Sequence, residues 1–311
     1  MRWRQFLLFS SSQAENWEVN ELKKVEKHLF PKTVKEALEL LAEYKGEARI
    51  VSGATDLMLW IREGKVSPSV LVDVSDLQEM RFVSVEDGKM SIGSAMTHAE
   101  IAAHPEVKRV FPALSDGCRS VGSPQIRNIA TLAGNIVSAQ PAADSVVPMT
   151  ALGAQCELAG PDGVRMQPLC ELSKKVGESY VDPTKEILTR IEIKIPSGKY
   201  GTAFKRIAPR EAMALPVVNT AVMLEAEDDG TIKAARIVAS PVAVVPFRAK
   251  KAEELLIGKK ASPELFAAAA EAAGAEASPR DSLVRGSGAY RKVLVKDLVE
   301  QALIQAASLF V

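Results

Sequence analysis

Residues 122–144 read GSPQIRNIATLAGNIVSAQPAAD, too apolar for a surface loop and too interrupted for one helix or one strand. Within it, Thr131, Leu132, Ala133, Gly134 and Asn135 gather small residues, a hydroxyl and an amide in one short run. Small side chains leave main-chain N–H groups open to close approach by a bound anion. The same composition also suits a buried turn that only packs, and short glycine motifs often match by chance. A second stretch of the same character narrows the choice. Residues 49–57, RIVSGATDL, read as a buried strand, a tight small-residue turn and the start of a helix. Thr55 or Asp56 is placed to cap that helix and Gly64 to stop it. The two turns, far apart in the chain, are expected to hold one diphosphate from two sides.

The bulk properties bound the answer. With 311 residues, 47% of them apolar, the chain can build about two or three domains with proper cores. Lys plus Arg number 39 and Asp plus Glu number 39, so no basic excess points to nucleic acid. No apolar run reaches the ~18 residues that a membrane span needs. Residues 1–9, MRWRQFLLF, imitate the start of a signal peptide, but their apolar part is too short, and a cytoplasmic location is expected. Cys118, Cys156 and Cys170 lie far apart with no C-x-x-C, which argues against a disulfide framework or a four-thiolate metal site. His28, His98 and His104 fit no metal-binding spacing; each reads as a surface or capping residue, and no metal is expected on this chain.

Along the chain, residues 1–24 lack a period and read as an N-terminal extension. Thr33 to Glu36 forms a capping box, and Val34, Ala37, Leu38 and Leu41 follow at helical spacing. A buried strand is expected at 70–74, and a hairpin over 82–92 turning at Glu86 to Lys89. Thr97 to Glu100 is another capping box. Helices are expected at 112–121 and 146–152, the latter beneath the opening stretch, and strands around 161–163 and at 187–195. Pro196, Ser197 and Gly198 mark a boundary. Beyond it come strands at 201–207, 217–225 and 232–239, then helices at about 247–256, 263–275 and 289–308, the order of a separate α+β unit.

Four segments, taken together and in order, resemble the flavin-binding medium subunit of the molybdenum hydroxylases, the family of xanthine dehydrogenase, aerobic carbon monoxide dehydrogenase and 4-hydroxybenzoyl-CoA reductase. Residues 52–57, SGATDL, are similar to the family's A-G-G-T-D-L loop. Residues 125–136, QIRNIATLAGNI, with PAAD at 141–144, resemble its second loop. Phe204, Lys205 and Arg206 with Arg210 resemble the opening of its second domain, and RGSGAYR at 285–291 its final-helix signature.

The resemblance implies an α+β chain: a two-part FAD-binding domain of the vanillyl-alcohol-oxidase (PCMH) type at 25–197, then a smaller α+β domain at 200–308 like the CO dehydrogenase flavoprotein C-terminal domain. It implies FAD in this chain. The diphosphate would be held by Ile50, Val51, Ser52, Gly53, Ala54, Thr55, Asp56 and Leu57 on one side and by Thr131, Leu132, Ala133, Gly134 and Asn135 on the other. Asp144 would serve the ribose-bearing part, and Val121, Gly122 and Leu188 would touch the ring. Lys205 would stand beside the ring, where a cation favours the reduced, anionic flavin. No catalytic acid or base is implied. Ala54 and Ala133 replace the commonest glycines of the loops they resemble; a methyl there costs little at negative φ and ~1 kcal/mol or more at positive φ.

The implied partners are a molybdopterin-binding large subunit and a [2Fe–2S] small subunit, with NAD or another acceptor at the end of the electron path. Three scattered cysteines make the extra iron–sulfur cluster of the reductase branch unexpected here. Two other readings share these residues. One is a flavin-free interaction subunit whose loops have degenerated at Ala54 and Ala133. The other is a self-sufficient flavoenzyme resembling UDP-N-acetylenolpyruvylglucosamine reductase.

Overall fold

The computed structural model describes residues 25–310; the extension expected at 1–24 lies outside the described residues. β1 (Lys27–Leu29), α1 (Val34–Glu43), β2 (Ala48–Val51), α2 (Leu57–Arg62) and β3 (Val70–Asp73) open the fold. The three strands pair in parallel in the order β1-β3-β2, and α1 covers them with Ala37 and Leu41 set against Val70 and Val72. Thr33 caps α1 by accepting the Glu36 N–H at 3.1 Å. The Glu36 carboxylate takes the Lys32 N–H at 2.6 Å instead of that of Thr33, so half of the expected capping box forms. β1 carries no sequence signal because three residues are too few to show a period.

β4 (Val83–Glu86) and β5 (Lys89–Gly93) form the expected hairpin. Then come α3 (His98–Ala103), α4 (Pro105–Val110), α5 (Pro112–Arg119), α6 (Pro124–Arg127), α7 (Leu132–Val137) and α8 (Val146–Ala151). β6 (Gln155–Gly160) and β7 (Gly163–Pro168), a small β8 (Ser173–Lys175) and β9 (Glu178–Ser179) hairpin, and β10 (Ile187–Lys194) complete this part. Its main sheet is antiparallel in the order β4-β5-β10-β6-β7, so β10 returns from late in the chain to fill the middle. Ile92, Ile101, Phe111, Leu114, Leu132, Met149 and Leu158 form the core between this sheet and the helices. The Thr97 capping box forms both of its bonds.

β11 (Lys199–Ile207), β12 (Val218–Ala226), β13 (Ile232–Ser240) and β14 (Phe247–Arg248) make a third sheet, antiparallel and in sequence order. α9 (Lys250–Leu256), α10 (Pro263–Glu276) and α11 (Gly288–Ala307) cover one face, with Val222, Leu224 and Ile237 meeting Leu298, Val299 and Ala302. The helix expected from 247 starts later because Phe247 and Arg248 pair with β13.

The other face of that sheet is not solvated. Val147 and Ala151 of α8, with Ala113 of α5, pack onto Phe204, Ala221 and Val238. The helix expected beneath the opening stretch is therefore a wedge between the second and third sheets. This explains why nearly all of β12 is buried and shows no polar alternation. The Tyr200 hydroxyl donates to the Val110 carbonyl at 3.1 Å, and the Ala113 N–H donates to Thr202 Oγ1 at 3.3 Å, pinning the same junction.

Candidate cofactor cleft

A cleft of about 460 Å³ opens where the three sheets meet, within the size range of small-molecule sites. Its first wall is residues 50–57. β2 ends as the Val51 carbonyl accepts the Val74 N–H at 2.9 Å, and the chain then turns through Ser52, Gly53 and Ala54 into α2. Ala54 has φ +57°, the left-handed region, so its methyl carries ~1 kcal/mol of strain or more that glycine would not. Asp56 stands at the N-cap of α2 but makes no side-chain cap bond. The N–H groups of Gly53, Ala54, Thr55, Asp56 and Leu57 have no acceptor among the described residues. Gly53, Ala54, Thr55 and Asp56 are half-buried, so this row of uncommitted donors faces an open cleft that an acceptor can enter.

The second wall differs. Thr131 caps α7, its Oγ1 accepting the Gly134 N–H at 3.3 Å. The Leu132, Ala133 and Asn135 N–H groups go to the carbonyls of Met96, Ser94 and Thr131 at 3.1, 3.4 and 3.1 Å. Ala133 lies inside α7 and is absent from the left-handed residues, so its methyl is unstrained. The two turns thus share one cleft but not one chemistry: the first offers free main-chain donors, while those of the second already have protein partners. Gly53 is what lets the turns touch, because a Cβ there would lie 2.1 Å from the Ile129 carbonyl oxygen.

Residues 50–57, Val121, Gly122, Thr131, Ala133, Gly134, Asn135, Asp144 and Leu188 all border the cleft. Leu132 does not: its side chain is fully buried in the core under α7. Lys205 does not border it either, and its charge is felt by Asp116 of α5. Successive strand residues point to opposite faces, and on β11 it is Arg206 that turns toward Asp144. Arg206 Nε donates to Asp144 Oδ1 at 3.2 Å, and the same oxygen accepts from Asn219 Nδ2 at 2.7 Å. Asp144, expected to serve a ribose, is thereby held by two residues of the third sheet.

That carboxylate is 6% exposed, and burial pushes it up to about 6 against the opposing pull of Arg206 and Asn219. Removing the ion pair from water thus costs more than the pair returns. The native chain keeps a proton that an unfolded Asp releases near pH ~3.9, so this group's contribution to stability falls as pH rises from about 4 to about 6. Asp144→Asn should flatten that slope. Denaturation of flavin-free protein should show wild type losing about 3 kcal/mol relative to the variant across the interval; parallel profiles would contradict the assignment.

Several cleft residues escaped the sequence reading. His98, expected at the surface or as a cap, is fully buried and borders the cleft just after the Thr97 cap. Ser94 is equally buried, and the side-chain polar atoms of Ser52, Ser94 and His98 have no hydrogen-bond partner. Met213, Ala214 and Leu215, from the loop after β11, form part of the rim, and the Met213 N–H donates to the Gly122 carbonyl at 3.0 Å. Only the capping box hinted at His98; nothing local marked Ser94 or the rim. Cys118 and Cys156 are buried and Cys170 is exposed, all three as free thiols. Burial raises the Cys118 thiol and pushes Cys156 up to about 12, so neither is poised as a thiolate.

A small parallel sheet and an antiparallel sheet share one cleft, followed by an α+β unit, the architecture expected of a two-part FAD-binding oxidoreductase chain. Residues 23–197 match the family described as the FAD binding domain in molybdopterin dehydrogenase, and residues 203–306 match the CO dehydrogenase flavoprotein C-terminal domain. The nicotinate dehydrogenase FAD-subunit of Eubacterium barkeri is 32% identical over 241 residues, covering 76% of this chain and 81% of that protein. The glyceraldehyde dehydrogenase medium chain of Sulfolobus acidocaldarius is 31% identical over 277 residues, covering 88% and 96%. Among solved structures, carbon monoxide dehydrogenase from Hydrogenophaga pseudoflava, in a form lacking the Mo-pyranopterin moiety, superposes with a TM-score of 0.84 at 26% identity, covering 92% of this chain and 98% of that one. The chain belongs to the family of FAD-binding medium subunits of the molybdenum hydroxylases.

Proposed function

We propose that the cleft holds FAD and that the chain carries electrons between [2Fe–2S] clusters on a small partner subunit and a terminal acceptor, NAD or another. Substrate oxidation would take place on a molybdopterin-binding large subunit. The row of free N–H groups from Gly53 to Leu57 carries this reading, because a diphosphate supplies the acceptors that the protein withholds. The relatives are named as FAD subunits and medium chains, which supports a role beside other chains.

Bound FAD supplies the redox chemistry, linking one-electron and two-electron steps. This chain's residues bind and orient it. The 50–57 turn would take one side of the diphosphate. Thr131, Gly134 and Asn135 would shape the other, with Ala133 close by and Leu132 supporting them from the core. Val121, Gly122 and Leu188 would bound the ring, under the rim formed by Met213 and Leu215. Lys205 has no place in this assignment, and Arg206 acts only by fixing Asp144. We assign FAD binding to 25–197 and read 200–308 as the domain that closes the cleft. No described helix is long and apolar enough to cross a membrane. The unpaired thiols fit a reducing compartment, so we place the complex in the cytoplasm.

The chain purified alone should show the flavin absorbance band near ~450 nm, either directly or after incubation with FAD, and should oxidise no organic substrate. Failure to take up FAD would reject the binding assignment. Turnover without partner chains would reject the subunit assignment.

A further inference from the structure

The three orphaned side chains belong to residues that border the same cleft. The Ala130 carbonyl accepts the His98 N–H at 3.0 Å, and the Ser94 carbonyl accepts the Ala133 N–H at 3.4 Å, which ties both residues to the second turn. Ser52 opens the first turn, whose Gly53 packs directly on Ile129 and Ala130. Ser94 and His98 have no exposed surface yet border the cleft, and His98 leaves both ring nitrogens unpaired. A buried hydroxyl or imidazole without a partner is destabilising in a folded protein. Three bordering one cleft are best explained by a ligand that completes them.

We propose that Ser52, Ser94 and His98 form a hydrogen-bonding floor for the diphosphate of the bound dinucleotide. The inference rests on the proposed FAD site and adds side-chain donors to its main-chain ones. All three can donate, two through O–H and one through a ring N–H. Burial and the neighbouring Arg127 hold the His98 imidazole neutral at pH 7, with its titration lowered to about 4, so one ring nitrogen keeps a proton to give. The Arg127 charge also favours an anion over a neutral group. The acid of the first turn, Asp56, has its carboxyl raised by burial against the opposing hydrogen bond with Ser138.

The test measures FAD and ADP affinity of full-length protein carrying Ser52→Ala, Ser94→Ala, His98→Ala or His98→Gln, alongside thermal melting without ligand. Each alanine variant should weaken both ligands by about tenfold, the range for a hydrogen bond to a charged group. His98→Gln, which keeps a donor, should recover much of the loss. Ser52→Ala and Ser94→Ala should melt no lower than wild type without ligand, since each removes an unsatisfied buried hydroxyl. A purely structural role would instead lower the melting point and spare ADP. Wild-type protein that binds neither ligand would overturn the FAD site and this floor together. Wild-type binding with unchanged affinities in the variants would overturn the floor alone.

Discussion

Gly53→Ala protein should purify without flavin. A Cβ at this position would lie 2.1 Å from the Ile129 carbonyl oxygen and 2.8 Å from both Ala130 Cα and the Ile129 carbonyl carbon. All three atoms are backbone, so no side chain can rotate away, and the first turn must lift off the second. Overpacking of this kind costs about 3 kcal/mol. Here the cost falls on the closed form of the cleft that aligns the free donors of residues 53–57. An affinity loss of about a hundredfold follows. Flavin per chain after desalting, and an FAD titration of the stripped protein, measure it; wild-type occupancy would show that the turns need not touch.

Gly201→Ala should damage stability rather than binding, and more severely. The added Cβ would stand 1.8 Å from the Ala306 carbonyl oxygen and 3.2 Å from Leu309 Cβ, where the last turn of α11 lies on β11. α11 supplies Leu298, Val299, Ala302 and Leu303 to the core of the third sheet, so displacing its end unpacks that core. A loss of about 3 kcal/mol or more is expected, lowering the melting midpoint by about 5 °C. Gly230→Ala is the control. It has φ +84° but nothing within 4 Å of the added methyl, and should cost only ~1 kcal/mol of backbone strain. Similar midpoints for the two variants would show that α11 does not depend on this contact.

What the sequence made legible was local. Both turns, the Thr97 box and the hairpin at Glu86 to Lys89 are encoded by residues close in the chain, and they fold as their local chemistry demands. What it hid depends on residues far apart. α8 is short and apolar, and nothing within it says which layer it will face; that is decided by Phe204, Ala221 and Val238. The family-like motif directed attention to Lys205, whereas strand alternation, with Phe204 buried in the junction, puts Arg206 on the face that meets Asp144. Ser94 and His98 look ordinary in sequence because an unpaired donor is defined by its surroundings. Ala54 was legible as a departure but not in its cost, since only the backbone shows that its φ is positive and that of Ala133 is not.

The Asp144 cluster has a consequence for how such chains can be recombined. Its acid comes from before the boundary and its arginine and amide from after it. A chimaera joining the first 197 residues of one relative to the remainder of another would strand that acid unless Arg206 and Asn219 travelled with it. The exchangeable module is therefore the whole chain, and the visible seam at Pro196 to Gly198 is a poor place to cut.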